Sequence, residues 1–356
     1  MPLFLPPILV KFKFRMKRFL KYTFILLFIS VAFLAWFILL GNKANFEVSE
    51  KKIFLKDVSS KETILAKLKE EGCFSNSFCF ELLADKMNVF AKVKPGKFVV
   101  KNGTSPLQLA RMLRNNQQAS IKFVINKLRT QGDFVKLIAK NFDKDSVEVN
   151  QELVAFFSSN SFGINATNFQ AFIIPNTYEF YWNTNVAMLM EELVKESNKF
   201  WQSNNREQKL AQLGLNKMYA ITIASIVEEE TNNDGEKGNI ASVYLNRIEK
   251  KMSLGADPTI KFALNDFSLR RVLKVHLQVQ SPYNTYKNKG LPPGPICTPS
   301  VKTIDATLNA PKTNYLFFVA SDKLNGTHIF TTNYTEHEQY AKLYRDAVTK
   351  YLASKK

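Results

Sequence analysis

Met218 to Val227 is apolar on nearly every helical face, and Glu228, Glu229 and Glu230 follow it directly, before Thr231. A helix that is apolar all round belongs inside a domain, so the chain must supply packed structure on more than one side of it. Helical spacing sends the three acids in different directions. Glu229 follows Thr222 and Ser225, the polar stripe, and is expected to face water. Glu230 lies on the apolar side, in line with Ile223, Ile226 and Val227. Glu228 follows Ile221 and Ala224 on a third face. A carboxyl among aliphatic side chains is disfavoured as an anion, so it holds its proton towards neutral pH, as a general acid must. Three acids also suit a solvated helix end, and spacing alone leaves both readings open.

A second apolar run constrains where the protein works. Tyr22 to Leu40 is nineteen residues without a charge, about 28 Å as a helix, against a hydrocarbon core of about 30 Å. It exceeds a signal-peptide core, and Asn42-Lys43-Ala44 is a poor cleavage site. Lys11, Lys13, Arg15, Lys17, Arg18 and Lys21 precede it with no acid among them. The expected layout is a basic cytoplasmic segment (1–21), a single-pass helix (22–41) and an extracytoplasmic remainder held at the cytoplasmic (inner) membrane. Met16-Lys17-Arg18 reads as a natural start, with Met1 to Arg15 as an upstream extension.

Of the net charge of +18, six units belong to that segment. The remaining +12 suits anionic lipid headgroups or the carboxylates of wall peptides; an exported domain excludes nucleic acid as the partner. Cys73 and Cys79 are close enough in sequence to expect a disulfide outside the cytoplasm, while Cys297 has no evident partner. No metal-ligand spacing appears, no cofactor is expected, and His276, His328 and His337 read as structural or exposed.

The chain of 356 residues suits two modest α+β domains, 42–160 and 161–356. The first alternates strands (Lys52–Leu55, Lys97–Val100, Ser120–Ile125) with helices (Thr63–Glu71, Phe78–Met87, one begun by Ser105-Pro106, Asp133–Phe142). The polar stretch Gln151–Asn168 reads as the boundary. Beyond it come helices at Val186–Trp201, at the run ending in Glu230, and at Gly238–Lys250. A proline- and glycine-dense loop (Ser281–Pro299), two strands (Tyr315–Ala320, His328–Thr332) and a last helix (Glu336–Tyr351) complete it.

Six pieces stand in a fixed order: Ala171-Phe172-Ile173-Ile174-Pro175-Asn176-Thr177, Ser225-Ile226-Val227-Glu228-Glu229-Glu230-Thr231, Asn239–Ile248, Leu254-Gly255-Ala256-Asp257-Pro258-Thr259, Ser281–Ile296 and Tyr315–Asn333. In this register the chain resembles the YceG-like (MltG) family of endolytic murein transglycosylases, from about Asp57 to Arg345. The resemblance implies a LysM-like subdomain ahead of a mixed α+β catalytic domain. It assigns the catalytic acid to the glutamate directly before the threonine, Glu230. Gln170 and Asn176 stand where the family usually has acids, a departure expected to alter contacts beside the cleft. Glu228, Asn246, Asp257, Tyr283, Asn284 and Tyr286 are candidate substrate contacts, since amides and aromatic faces suit sugar rings; loop rigidity explains the loop residues equally well.

Ordinary glycosidases pair two carboxyls. One placed acid suffices if the muramyl C6 hydroxyl serves as nucleophile, and the resemblance implies that route: lytic cleavage between N-acetylmuramic acid and N-acetylglucosamine, leaving a 1,6-anhydro end. Peptidoglycan synthases (penicillin-binding proteins) are the expected neighbours. A hydrolytic glycosidase and a non-catalytic wall-binding scaffold of the elongation machinery are the competing readings.

Overall fold

A computed structural model describes residues 7–40 and 43–354. The first six residues, and Gly41 and Asn42 where the span was expected to end and the first domain to begin, lie outside them. Contacts divide the chain into two compact units, residues 1–121 with 181–183, and residues 122–180 with 184–356.

The first unit begins with α1 (Pro7–Leu40), a single helix of 34 residues and therefore about 51 Å long. Its stretch Arg18–Phe37 is apolar, unburied and long enough to cross a membrane. The basic residues ahead of the span are part of the same helix. Next comes β1 (Glu50–Leu55), then α2 (Lys61–Glu70), α3 (Phe78–Lys86), β2 (Gly96–Lys101) and α4 (Pro106–Arg114). β1 and β2 pair antiparallel, Glu50 opposite Lys101 and Leu55 opposite Gly96. Local chemistry sets the boundaries. Ser60 caps α2, and Gly72 takes the left-handed φ of 76° that turns the chain away from that helix. Ser105 and Gln108 form a reciprocal capping box on α4 with Pro106 in its first turn. Ile53, Leu55, Ile64, Leu68, Phe80, Phe98, Leu109 and Leu113 close the core.

The expected disulfide is absent: Cys73 and Cys79 are free and buried. Cys73 packs in the core beside Phe74, and burial pushes its thiol up to about 12. Cys79 instead sits on α3 with its sulfur 3.9 Å from the Phe37 carbonyl of α1. The helical start of α3 aims the two side chains at different neighbours.

The second unit takes in most of β3 (Ser120–Ile125) and of its partner β4 (Asn176–Tyr181), with α5 (Gln131–Asn141) and α6 (Ser146–Ser159) between them in sequence. α6 occupies the stretch read as a polar boundary. Its Val149, Leu153 and Phe156, at helical spacing, are buried, and Asp145 caps its first turn. Four helices follow: α7 (Val186–Gln202), α8 (Arg206–Leu213), α9 (Lys217–Glu230) and α10 (Lys237–Glu249). Then come α11 (Asp257–Ala263), α12 (Val301–Leu308), the antiparallel pair β5 (Phe317–Ala320) and β6 (His328–Thr331), and α13 (Tyr334–Ala353).

α9 is apolar all round because it is walled on two sides. Ala220, Ile221 and Ala224 pack with Ala171, Ile174, Trp201, Leu210, Ile304 and Leu308. Ile223, Ile226 and Val227 pack with Ile240, Ala241, Tyr244, Leu254, Ala256 and Ile296. Each fully buried aliphatic side chain contributes about 1.5–3 kcal/mol. Thr222 and Ser225, read as a solvated stripe, are 1 % and 0 % exposed. Ser225 Oγ donates to the Thr222 carbonyl at 2.8 Å and accepts from the Ile296 amide at 3.0 Å. This polar seam fastens the proline-rich loop to the helix.

That loop runs against Thr167 at Gly294, where an added Cβ would lie 2.2 Å from the Thr167 carbonyl oxygen. Backbone cannot swing aside as a side chain can. Gly294→Ala should therefore destabilise the protein by about 1–3 kcal/mol, read as a lower melting temperature. An unchanged melt would show that the loop does not press on this segment.

Candidate active site

The three glutamates at the end of α9 meet three different environments. Glu228 turns to α12: its Oε2 accepts from the Ser300 amide (3.3 Å) and hydroxyl (2.9 Å) and from the Thr303 hydroxyl. Lys127 and Lys237 lie 3.8 and 3.6 Å from its oxygens. It joins α9 to the start of α12. Glu229 does not face water. Burial alone would push its carboxyl up, but Arg129 donates to both oxygens (3.1 and 3.0 Å) and Lys127 stands 3.1 Å away. Together these hold it below the usual carboxylate range. The polar stripe that suggested a solvated face is an interior seam, and the helix end it leads to meets cations.

Glu230 opens into a cleft of about 710 Å³ whose lining includes neither Glu228 nor Glu229. Glu230 is half-buried, on the side of α9 that carries Ile223, Ile226 and Val227. Burial raises its carboxyl to about 7. The fully enclosed Tyr244 of α10 donates to Glu230 Oε1 at 2.6 Å and acts in the opposite direction. The charge of Asp257 raises the value further, while Lys261 and Arg247 lower it. A donor held on Oε1 leaves Oε2 as the oxygen free to carry the proton.

Two of the other candidate contacts share this cleft. Asp257, in the first turn of α11, accepts from the Tyr286 hydroxyl at 2.6 Å, and both line the cavity. Burial, with Asp257 beside it, pushes the Tyr286 phenol up. Asn246, Tyr283 and Asn284 are absent from the lining. The Asn246 amide donates to the carbonyls of Thr313 and Tyr315, both at 2.9 Å. Tyr283 packs on Phe262, ring centroids 4.6 Å apart. Asn284 is wholly buried and donates to the carbonyls of Leu277 and Val279, shaping its own loop. Gln170 and Asn176 are also off the lining. Gln170 is buried against the carbonyls of Leu128 and Arg129, and Asn176 is exposed at the start of β4.

Several cleft residues were not singled out from sequence. Tyr244 and Arg247 fall within the Asn239–Ile248 piece, and i, i+3 spacing on one helix could have paired them. Phe317 and Phe318 of β5 and Tyr334 and His337 of α13 form another wall. His337, read as structural or exposed, stacks on Phe317 with centroids 5.4 Å apart, and burial lowers its pKa, keeping it neutral. Among the described residues no group of three His, Cys, Asp or Glu side chains could hold a metal ion.

The sequence model of the YceG-like family matches residues 53–343. The chain belongs to the YceG-like family. A Bacillus subtilis protein named endolytic murein transglycosylase is 33% identical over 261 residues, which is 73% of this chain and 66% of that protein. A Streptococcus pneumoniae protein of the same name is 30% identical over 174 residues, 48% of this chain and 31% of that one. The alignments thus span less than two thirds of either relative's length. The crystal structure of a YceG-like protein from Listeria monocytogenes has the same fold, with a TM-score of 0.53 at 24% identity over 82% of this chain and 98% of that one.

In this YceG-like chain the raised Glu230 carboxyl makes folding pH-dependent. Below its ordinary value of 4.5 the group is neutral in both folded and unfolded states. As pH rises towards 7 the unfolded chain ionises first, so Glu230 takes stability away, by roughly 1–3 kcal/mol at pH 8. Glu230→Gln should therefore melt with the wild type at pH 4 and above it at pH 8. Equal melting at both would mean that the carboxyl ionises as freely as in water.

Proposed function

We propose that the protein is a membrane-anchored lytic transglycosylase that cleaves peptidoglycan between N-acetylmuramic acid and N-acetylglucosamine. The observation that supports this most is a glutamic acid keeping its proton up to about 7 in an open cleft. Glu230 would give that proton from Oε2 to the bridging oxygen as the bond to the muramyl C1 breaks. The carboxylate it becomes would take the proton of the muramyl C6 hydroxyl while that oxygen closes on C1. The product is a 1,6-anhydromuramyl end, no water is consumed, and the acid returns to its starting form. Tyr244 stabilises the anionic stage of this cycle.

Asp257 gives a hydrolytic reading some support, because it is a second carboxyl lining the same cleft. Its hydrogen bond from Tyr286 leaves it suited to a positioning role in the lytic route. Product analysis separates the two, since hydrolysis leaves reducing ends and the lytic route leaves anhydro ends. On purified sacculi Glu230→Gln should lose about 10²–10⁴-fold in anhydromuropeptide release. Glu229→Gln should melt lower, having left Arg129 without its carboxylate and Lys127 with only its longer contact to Glu228, yet keep its turnover per folded molecule within a few-fold. Near wild-type release by Glu230→Gln would overturn the assignment.

The anchor belongs to the same proposal. Basic residues before the span and none within Tyr22–Leu40 support an inside N-terminus at the cytoplasmic membrane, with the second unit and the part of the first that follows the span outside. There the first unit would serve as a LysM-like glycan contact or spacer, near the synthases that make the strands. Protease added to spheroplasts should remove the chain beyond the span; a protected C-terminal unit would reverse the orientation.

A further inference from the structure

Arginine side chains drawn into the second unit carry carboxylate partners, with one exception at the cleft. Arg206 donates Nε and Nη2 to Asp305 at 2.7 and 2.9 Å, and Arg129 holds Glu229 in the same two-pronged way. Arg247 is also half-buried, and burial lowers its pKa, but its two hydrogen bonds go to backbone. Nε donates to the Leu316 carbonyl at 2.7 Å and Nη1 to the Leu254 carbonyl at 2.5 Å. Phe317 lies against the guanidinium, 5.3 Å from its centre. A guanidinium has five N–H donors, so three remain, including both on Nη2. No carboxylate among the described residues comes within ion-pair distance of it. A partly desolvated cation without a counter-charge is costly, and here it lines the cavity that contains Glu230.

The surroundings favour an anion as the missing partner. Lys251 and Lys289 line the same cavity, and neither has a carboxylate partner among the described residues. Lys251 follows the end of α10 with a left-handed φ of 54°, a conformation that a non-glycine residue adopts at a cost. Of the two acids in the lining, Asp257 is bonded to Tyr286 and Glu230 holds its proton towards neutrality. The cavity is therefore cationic on balance. Sugar hydroxyls and acetamido groups carry no charge to meet it; the anions of a peptidoglycan strand are the carboxylates of its peptide stems.

We infer that Arg247, flanked by Lys251 and Lys289, forms a subsite for a carboxylate of the peptide stem on the muramyl residue bound beside Glu230. The inference rests on the reading of this cleft as a glycan site. It makes the protein selective for strands that still carry acidic peptides. Charge-assisted pairing of a carboxylate with a planar guanidinium is among the stronger hydrogen bonds available. It is directional enough to set the position of the sugar ring along the cleft.

The test uses full-length protein in detergent carrying Glu230→Gln, so that nothing is turned over. Two probes are compared, N-acetylmuramyl-L-alanyl-D-glutamic acid and its diamide, which differ only in charge at the peptide carboxyls. The acid should bind about tenfold or more tightly than the diamide, with the preference shrinking as salt is raised. Adding Arg247→Gln should bring the ratio close to one. Because Arg247 also braces two carbonyls, its loss can lower the melting temperature. The exposed pair Lys251→Gln and Lys289→Gln supplies a second arm, expected to cut the preference several-fold at an unchanged melt. Equal affinity for the two probes overturns the inference, as does a preference that persists in both the Arg247→Gln and the double-lysine proteins. Preference for the acid, in a protein whose wild type releases no anhydro product, would keep the subsite and remove the transglycosylase reading. Anhydro products with no preference would do the reverse.

Discussion

Taking a carboxyl group out of water without giving it a cation is expensive, and the arrangement around α9 does this to one glutamate of three. Glu228 and Glu229 meet lysine, arginine and hydroxyl donors. Glu230, one residue further, meets a tyrosine hydroxyl, the edge of an aliphatic cluster and an open cavity. The difference follows from 100° of helical rotation per residue inside a domain whose walls differ in chemistry. One side of α9 is closed by α8, α12 and the segment before β4. The other is closed by α10, α11 and the proline-rich loop, and it is this side that opens at the helix end. The rest of the second unit keeps those walls in place: the Ser225 seam, the close approach at Gly294, and the Asn246 amide joining α10 to the segment before β5.

Legibility from sequence tracked how far an argument depended on the chain's own periodicity. The central helix, its burial and the separate facing of Glu230 all follow from 3.6-residue spacing. The helices, strands and caps of the first unit were similarly readable, because capping residues such as Ser105 with Gln108 act within one turn. What failed needed knowledge of the partner across the gap. Thr222 and Ser225 looked solvated because polar side chains usually are; only the loop amide of Ile296 shows why they are interior. Val149, Leu153 and Phe156 carried a helix signal that polar neighbours concealed. Asn284 looked like a sugar contact, while its amide groups were already committed to its own loop. Asp257, named as a candidate contact, does line the cleft, but its bond to a tyrosine 29 positions away could not be read from periodicity.

The cleft also shows how one fold separates stability from chemistry. Its fixed hydrogen bonds run to backbone carbonyls, as with Arg247, or between side chains of the lining, as with Tyr286 and Asp257. Such bonds lock the rotamers of the groups that line the cavity, so less ordering would remain to be done if a ligand bound there. The cleft groups that keep bonding capacity in hand are Glu230 Oε2 and the outer nitrogen of Arg247.

The walls of this cavity are far apart in sequence. Glu230 ends α9, whereas Phe317, Phe318, Tyr334 and His337 arrive about a hundred residues later, on β5 and α13. A chain synthesised from its N-terminus presents the glutamate to water well before its enclosure exists. In that interval the side chain is an ordinary ionised acid, with no proton to give at neutral pH. Chemical competence would then arrive late and all at once, when the last helix docks, so that a chain stalled or clipped before α13 would hold no glutamate able to keep its proton near neutrality.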